Sequence, residues 1–264
     1  SRRQRQMCIR DSSFWAPSVI ELDGTYYMYC SYEFFGDTPD QGGHREALFV
    51  SQADNPLGPF GQEKQILHPF SIDSQIVQNE SGLYLFYSTN TFEGDRIGTY
   101  IVVDKMLDPY TPAGHPVPVV VPTLDEEIFR RDRYKPGQHW HTIEGACYFR
   151  EGDWQYVMYS GNCYLQPTYY IGYARAKTDE TDLTKIKFEK VPDDHTYAPV
   201  IRANDWEEGT GHHSVIKKDG VWYAVYHARN VEDDGFEGDR RNARICRLEV
   251  KDGTITAHRY PDHI

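Results

Sequence analysis

A chain of 264 residues is long enough for one large domain with a full core or for two small ones, and 39% hydrophobic residues is an ordinary globular share. The net charge of −12 disfavours nucleic acid and anionic membranes as partners, and no apolar run approaches the roughly twenty residues of a membrane-spanning helix. Aromatic residues reach 14%, with 20 tyrosines, a bias that suits β-strands and the stacking of sugar rings, so the expected partner is neutral or small.

Residues 1–12 are basic at Arg2, Arg3, Arg5 and Arg10 in an otherwise acidic chain and carry no apolar period. The run Met7-Cys8-Ile9-Arg10-Asp11-Ser12 looks like the translation of a transposon end used in sequencing-library preparation. Residues 1–12 are therefore expected to be non-native, and residues 13–264 to form the folded domain.

From Phe14 onward one pattern recurs: an apolar strand, a turn containing glycine, and an aromatic-rich strand ending in Tyr-Ser or Tyr-His, or in Tyr-Cys-Ser in the first copy. The copies occupy residues 17–31, 76–88, 147–160 and 215–227, and each reads as a β-hairpin by its turn chemistry and its β-branched and aromatic content. Their turn glycines stand at 24, 82, 152 and 220, a period of roughly 58 to 70 residues. Further strand-like runs at 47–51, 98–103 and 169–174 lie between the hairpins. Four strands per repeat at a long, loose period predict an all-β fold of propeller blades. A β-sandwich does not predict four similar hairpins at this spacing.

No linker divides the chain. The proline-rich run 109–122 is expected to be an inter-strand loop, and the acidic run 232–239 a solvated loop without a complete calcium-binding pattern. The five cysteines (Cys8, Cys30, Cys147, Cys163, Cys246) form no CxxC pair and no zinc spacing; Cys30, Cys147 and Cys246 sit in strand-like runs and are expected as buried free thiols.

The strand nearest a propeller axis faces a shared funnel, so similar offsets in successive hairpins converge. Those offsets hold Phe14-Trp15-Ala16-Pro17, Ile72-Asp73-Ser74-Gln75, Ile143-Glu144-Gly145 and Gly209-Thr210-Gly211-His212-His213-Ser214. Glu144 stands between apolar or small residues, an environment that disfavours a charged carboxylate and suits a general acid near neutral pH. Two carboxylates flanking a sugar are the minimum equipment for glycoside hydrolysis.

These motifs resemble glycoside hydrolase family 43. The resemblance rests on Trp15-Ala16-Pro17 before Gly24-Thr25-Tyr26-Tyr27, on Ile72-Asp73, on Ile143-Glu144-Gly145, on Gly209-Thr210-Gly211-His212-His213-Ser214-Val215, and on the run 53–60, and it spans about residues 13 to 260. It implies a five-bladed β-propeller of inverting enzymes acting on arabinose- and xylose-containing oligosaccharides and polysaccharides, an α-L-arabinofuranosidase or a β-xylosidase. By position, Glu144 matches the general acid and Asp73 the carboxylate that orients it and tunes its pKa. His212 matches an axial histidine that lies near a central ion, often a structural calcium, with water between; no cofactor is required for the chemistry. Trp15 and Trp140 are candidates for stacking a pentose ring, and Arg241 for contacting its hydroxyls.

Two departures stand out. Family members usually carry proline after the aspartate, where this chain has Ser74. The family's catalytic base is an Asp of the first blade, and only four hairpins are visible here where the family has five. The chain is therefore expected to begin at the second blade, to lack the base, and to hydrolyse aryl pentosides little or not at all; Asp11 lacks the following proline and is not assigned as the base. The inverting geometry separates acid and base by about 6.5–9.5 Å, against about 5–5.5 Å in a retaining, fructan-cleaving relative, a reading that the 209–215 motif disfavours. A non-catalytic carbohydrate-binding propeller is the alternative from another class. Choice of pentose and linkage is expected to rest with the loops 33–46 and 124–139.

Overall fold

The computed structural model describes residues 14–33, 45–68, 70–232 and 240–259. The 1–12 segment with Asp11 and Cys8, most of the 33–46 loop and most of the acidic 232–239 run lie outside the described residues. The described chain is built from strands. Its helical residues are two single 3₁₀ turns, Asp125–Glu127 and Leu183–Lys185.

Four antiparallel meanders follow one another. The first is β1 (Trp15–Leu22), β2 (Thr25–Glu33), β3 (Glu46–Ala53) and β4 (Gly61–Gln65), hydrogen-bonded in that order. The second is β5 (Ile72–Asn79), β6 (Gly82–Thr91) and β7 (Gly98–Asp108), with the short β8 (Thr111–Pro112) paired to β7. After β9 (Val117–Val120) and β10 (Ile128–Arg130), the third comprises β11 (Trp140–Glu151), β12 (Trp154–Gly161), β13 (Tyr170–Lys177) and β14 (Glu189–Lys190). The fourth is β15 (Glu207–Lys218), β16 (Val221–Asn230), β17 (Asn242–Lys251) and β18 (Thr254–His258). All four expected hairpins are present as β1–β2, β5–β6, β11–β12 and β15–β16. The proline-rich run departs from the expected loop, since it holds β8 and β9; Pro112 is tolerated because β8 is a two-residue edge piece.

Local chemistry explains the turns. Asp23-Gly24, Asp219-Gly220 and Asp252-Gly253 have φ of 50° and 83°, 51° and 80°, and 50° and 80°, the left-handed pairs that tight hairpins require and that Asp-Gly supplies.

The chain divides into two compact units. One holds the described residues up to Asn90 with Val102–Val117 and Thr181–Thr184; the other holds Thr91–Ile101, Pro118–Glu180 and the described residues from Lys185 on. In the second unit one core cluster joins the third and fourth meanders, with Phe149, Tyr156, Met158, Ile171, Tyr226 and Leu248 among its buried members. Cys147 and Cys246 belong to it, and Cys30 and Cys163 are also buried free thiols. Burial pushes the Cys147 thiol up to about 12, which keeps it protonated and inert.

One irregularity is common to the first strand of every meander. Trp15 pairs with Ser31 and Ser18 with Tyr29; Ile72 pairs with Ser88 and Gln75 with Phe86. Glu144 pairs with Ser160 and Cys147 with Met158; Gly211 pairs with His227 and Ser214 with Val225. In each, three steps on the first strand face two on its partner, which defines a one-residue bulge. The second residue of each bulge is left-handed: Ala16 (φ 43°), Asp73 (57°), Gly145 (66°) and His212 (44°). Bulges re-aim side chains, and left-handed non-glycine residues cost on the order of 1 kcal/mol each, so the repeat holds strain where the sequence places its motif residues. The terminal Ser or His of each copy is the residue that faces the bulge.

Candidate active site

In the second unit, β11 presents Glu144 as the first residue of its bulge, half-buried between Ile143 at 0% exposure and the glycine Gly145. The Tyr169 hydroxyl donates to Glu144 Oε1 at 2.7 Å. Tyr169 immediately precedes β13 and is 1% exposed. Its carbonyl accepts the Thr210 hydroxyl at 3.2 Å, and its ring stacks on His227 with centroids 5.7 Å apart and planes 12° apart. A Cβ on Gly211 would lie 1.9 Å from the Tyr169 ring, so glycine at that position makes room for it.

His212, at the left-handed position of the β15 bulge, lays its ring against Gly145; a Cβ there would sit 3.6 Å from His212 Nδ1. Its backbone N–H donates to Ser160 Oγ at 2.8 Å. Burial holds the His212 pKa below the ordinary histidine value; Glu144 opposes this and Arg241 reinforces it. Burial first, then Arg241 and His212, depress His227 to about 3, while burial and His212 do the same for His213. All three rings are therefore neutral near pH 7.

Arg241 is exposed, with its guanidinium 5.1 Å from the centre of the Tyr164 ring, and it acts electrostatically on both His212 and His227. The structure thus gathers three residues singled out in the sequence, Glu144, His212 and Arg241, and adds Tyr169, His227 and Ser160. Ser160 and His227 had a signal, the terminal Ser or His of the hairpin copies. Tyr169 had none, being one tyrosine among 20.

Asp73 and Trp15 belong to the first unit. Asp73 is 5% exposed at the left-handed position of the β5 bulge, next to Ser74, whose hydroxyl lies 3.2 Å from that of Ser18. Trp15 is half-buried and opens the β1 bulge, the position that Glu144 holds in β11.

Trp140 is placed otherwise than a stacking platform requires. It is 2% exposed, with the Arg133 guanidinium 4.5 Å from its ring centre and Phe92 and Tyr134 against it at 5.4 and 5.9 Å. The exposed rings of that cluster are Phe92 and Tyr134, at 46% and 47%. Trp140 opens β11 inside the pairing with β10, which draws its side chain into the core.

Next to Trp140, Arg96 Nη1 lies 2.9 Å from His141 Nε2 and 2.9 Å from Asp125 Oδ1. A guanidinium only donates, so His141 accepts at Nε2 and is neutral, with Nδ1–H directed to the Ile97 carbonyl at 3.4 Å. A polar hollow of about 300 Å³ lies nearby, lined by Asp125, Glu126, Arg131, Asn162, Thr168 and Tyr197. Asn162 and Thr168 bracket the same β12–β13 loop that delivers Tyr169 to Glu144.

Among the described residues, no group of three or more His, Cys, Asp or Glu is arranged to hold a metal ion. Neutral His212 offers one nitrogen, whereas calcium takes about six to eight oxygen ligands, so these residues do not form a protein cage for it.

The chain matches Glycosyl hydrolases family 43 over residues 1–255. It is 26% identical over 286 aligned positions to the extracellular exo-alpha-(1->5)-L-arabinofuranosidase of Streptomyces avermitilis, covering 96% of this chain and 54% of that protein. It is 22% identical to alpha-L-arabinofuranosidase 43 of Humicola insolens, covering 95% of this chain and 50% of that one. The chain thus spans about half the length of these curated relatives. The crystal structure of a thermostable family-43 glycoside hydrolase superposes with a TM-score of 0.72 at 29% identity, covering 92% of this chain and 74% of that one. The match covers nearly the whole chain and includes every bulge motif: the chain belongs to glycosyl hydrolases family 43, with the all-β propeller fold of that family.

Proposed function

We propose that the protein is a glycoside hydrolase that releases L-arabinofuranose from arabinose-containing oligosaccharides or polysaccharides, with inversion at the anomeric carbon. The observation that carries this reading is Glu144 at the head of the β11 bulge, held by Tyr169 at 2.7 Å and flanked by the neutral ring of His212. Glu144 serves as the general acid that protonates the leaving glycosidic oxygen while water attacks the opposite face of the sugar under a carboxylate base. Asp73 serves as the carboxylate that tunes the acid. Arabinose is preferred over xylose because both curated relatives are named arabinofuranosidases.

A general acid must sit beside the leaving group, so the polar hollow on the same β12–β13 loop would take the saccharide on the leaving-group side. Tyr197, part of its lining, supplies an aromatic face there. Any calcium near His212 would be held largely by water, and no step of this chemistry depends on it.

The test is turnover of aryl α-L-arabinofuranoside and aryl β-xyloside by this chain and by Glu144→Gln, with the product anomer read by proton NMR. Azide in a parallel assay supplies a nucleophile that needs no general base, so the contribution of the acid reads out by itself. Loss of about 10²- to 10⁴-fold in Glu144→Gln supports the assignment. Retained binding of arabino-oligosaccharide with no turnover, with or without azide, would establish the non-catalytic carbohydrate-binding propeller instead.

A further inference from the structure

Both oxygens of a carboxylic acid are available to carry its proton in solution, yet a glycosidase needs the proton on the oxygen that faces the leaving group. We propose that Tyr169 is a positioning residue that settles this choice, holding Glu144 Oε1 as the acceptor and so placing the transferable proton on Oε2. The inference rests on the assignment of Glu144 as the acid.

The reason is chemical. In a protonated carboxyl the carbonyl oxygen is the better acceptor, so a hydroxyl donating to Oε1 favours the tautomer with hydrogen on Oε2. During the reaction the Oε2–H bond breaks and its proton joins the glycosidic oxygen. That oxygen takes the electron pair of the breaking bond to the anomeric carbon, so the departing saccharide leaves as a neutral alcohol. Glu144 becomes a carboxylate, and the Tyr169 bond becomes charge-assisted as that happens. It is therefore stronger in the transition state than in the ground state, which is what lowers a barrier.

The structure keeps the tyrosine from yielding. Its ring is 1% exposed, lies flat on His227, fills the space left by the missing side chain of Gly211, and its carbonyl is tied to Thr210. Burial keeps the His227 ring neutral, so that ring serves as an uncharged plate beneath the tyrosine.

The test is Tyr169→Phe in the full chain, which keeps the ring and its stacking and removes one oxygen. In the first arm, carbon-13-labelled glutamate carboxyls are titrated by NMR, with Glu144 identified by the resonance missing from Glu144→Gln. Loss of a donor that favours the ionised form should move the Glu144 midpoint up by about half to one pH unit. Superimposable titrations would overturn the proposal, and this arm decides whether or not the chain turns over. In the second arm, aryl arabinofuranosides of graded leaving-group acidity are compared. The variant should lose about tenfold on phenyl glycosides, which need the proton, and under about twofold on dinitrophenyl glycosides, which do not. Equal losses on both would signify damaged packing and overturn the proposal. Both proteins are assayed in this arm with azide, which needs no general base; a wild-type chain inactive on every substrate with azide present would remove the hydrolase reading, with the Tyr169 contact still judged by the titration.

Discussion

Ser160 Oγ accepts the backbone N–H of His212 at 2.8 Å, so the residue facing one bulge holds the left-handed residue of the next. Ser160 is 0% exposed, and its loss would leave that N–H without its acceptor. Ser160→Ala should cost about 1–3 kcal/mol, read as a lower urea midpoint at unchanged slope. An unchanged midpoint would mean that the bond does not hold the bulge.

The two glycines of the site should respond differently. Gly145→Ala meets His212 at ordinary contact distance, 3.6 Å, so its penalty is chiefly the left-handed φ of 66°, about 1 kcal/mol. Gly211→Ala places a methyl 1.9 Å from the Tyr169 ring and must displace it. Equilibrium unfolding with near-ultraviolet dichroism should show a larger loss for Gly211→Ala, with altered tyrosine signal. Equal effects would contradict the packing described.

Acid should unfold the protein earlier than its carboxylates alone require. His213 and His227 titrate at about 3 in the fold, against 6.5 for an ordinary histidine. A depressed folded pKa means that the unfolded chain binds the extra protons, so stability is full above pH 6.5 and falls as pH drops toward about 3. For His213, 4% exposed, the slope in that window is about 1.4 kcal/mol per pH unit. Urea midpoints from pH 7 to pH 4 should fall less steeply in His213→Gln, and parallel curves would refute the assignment.

Lys190 and Glu127 form an ion pair at 2.5 Å with side chains 4% and 0% exposed, and the Thr123 and Leu124 amides also donate to that carboxylate. Lys190→Met should cost about 3–5 kcal/mol, because it strands a buried charge. Lys190→Met with Glu127→Gln should recover part of that loss in the same unfolding assay. A double variant no better than the single one would show that the charge is not the cause.

Much of this was legible beforehand because it is local. Alternating β-branched and aromatic residues around glycine turns determined the four hairpins, and with them the all-β propeller reading. Short-range rules of turn and strand act on neighbours in the chain, and Asp23-Gly24 or Asp219-Gly220 can adopt few other conformations. The same patterning singled out Asp73, Glu144 and His212 by their offsets.

What only the tertiary structure decided is register and company. Nothing in the local pattern shows that Asp73 and His212 take the left-handed place in their bulges while Glu144 precedes its own. That depends on which partner residues share the ladder. Likewise Trp140 was withdrawn from the surface by pairing with β10, and Tyr169, with no motif to mark it, was brought 25 positions back to Glu144. Such contacts depend on the packing of whole strands, so a one-dimensional period can mark the site's carboxylate but not the hydroxyl that holds it.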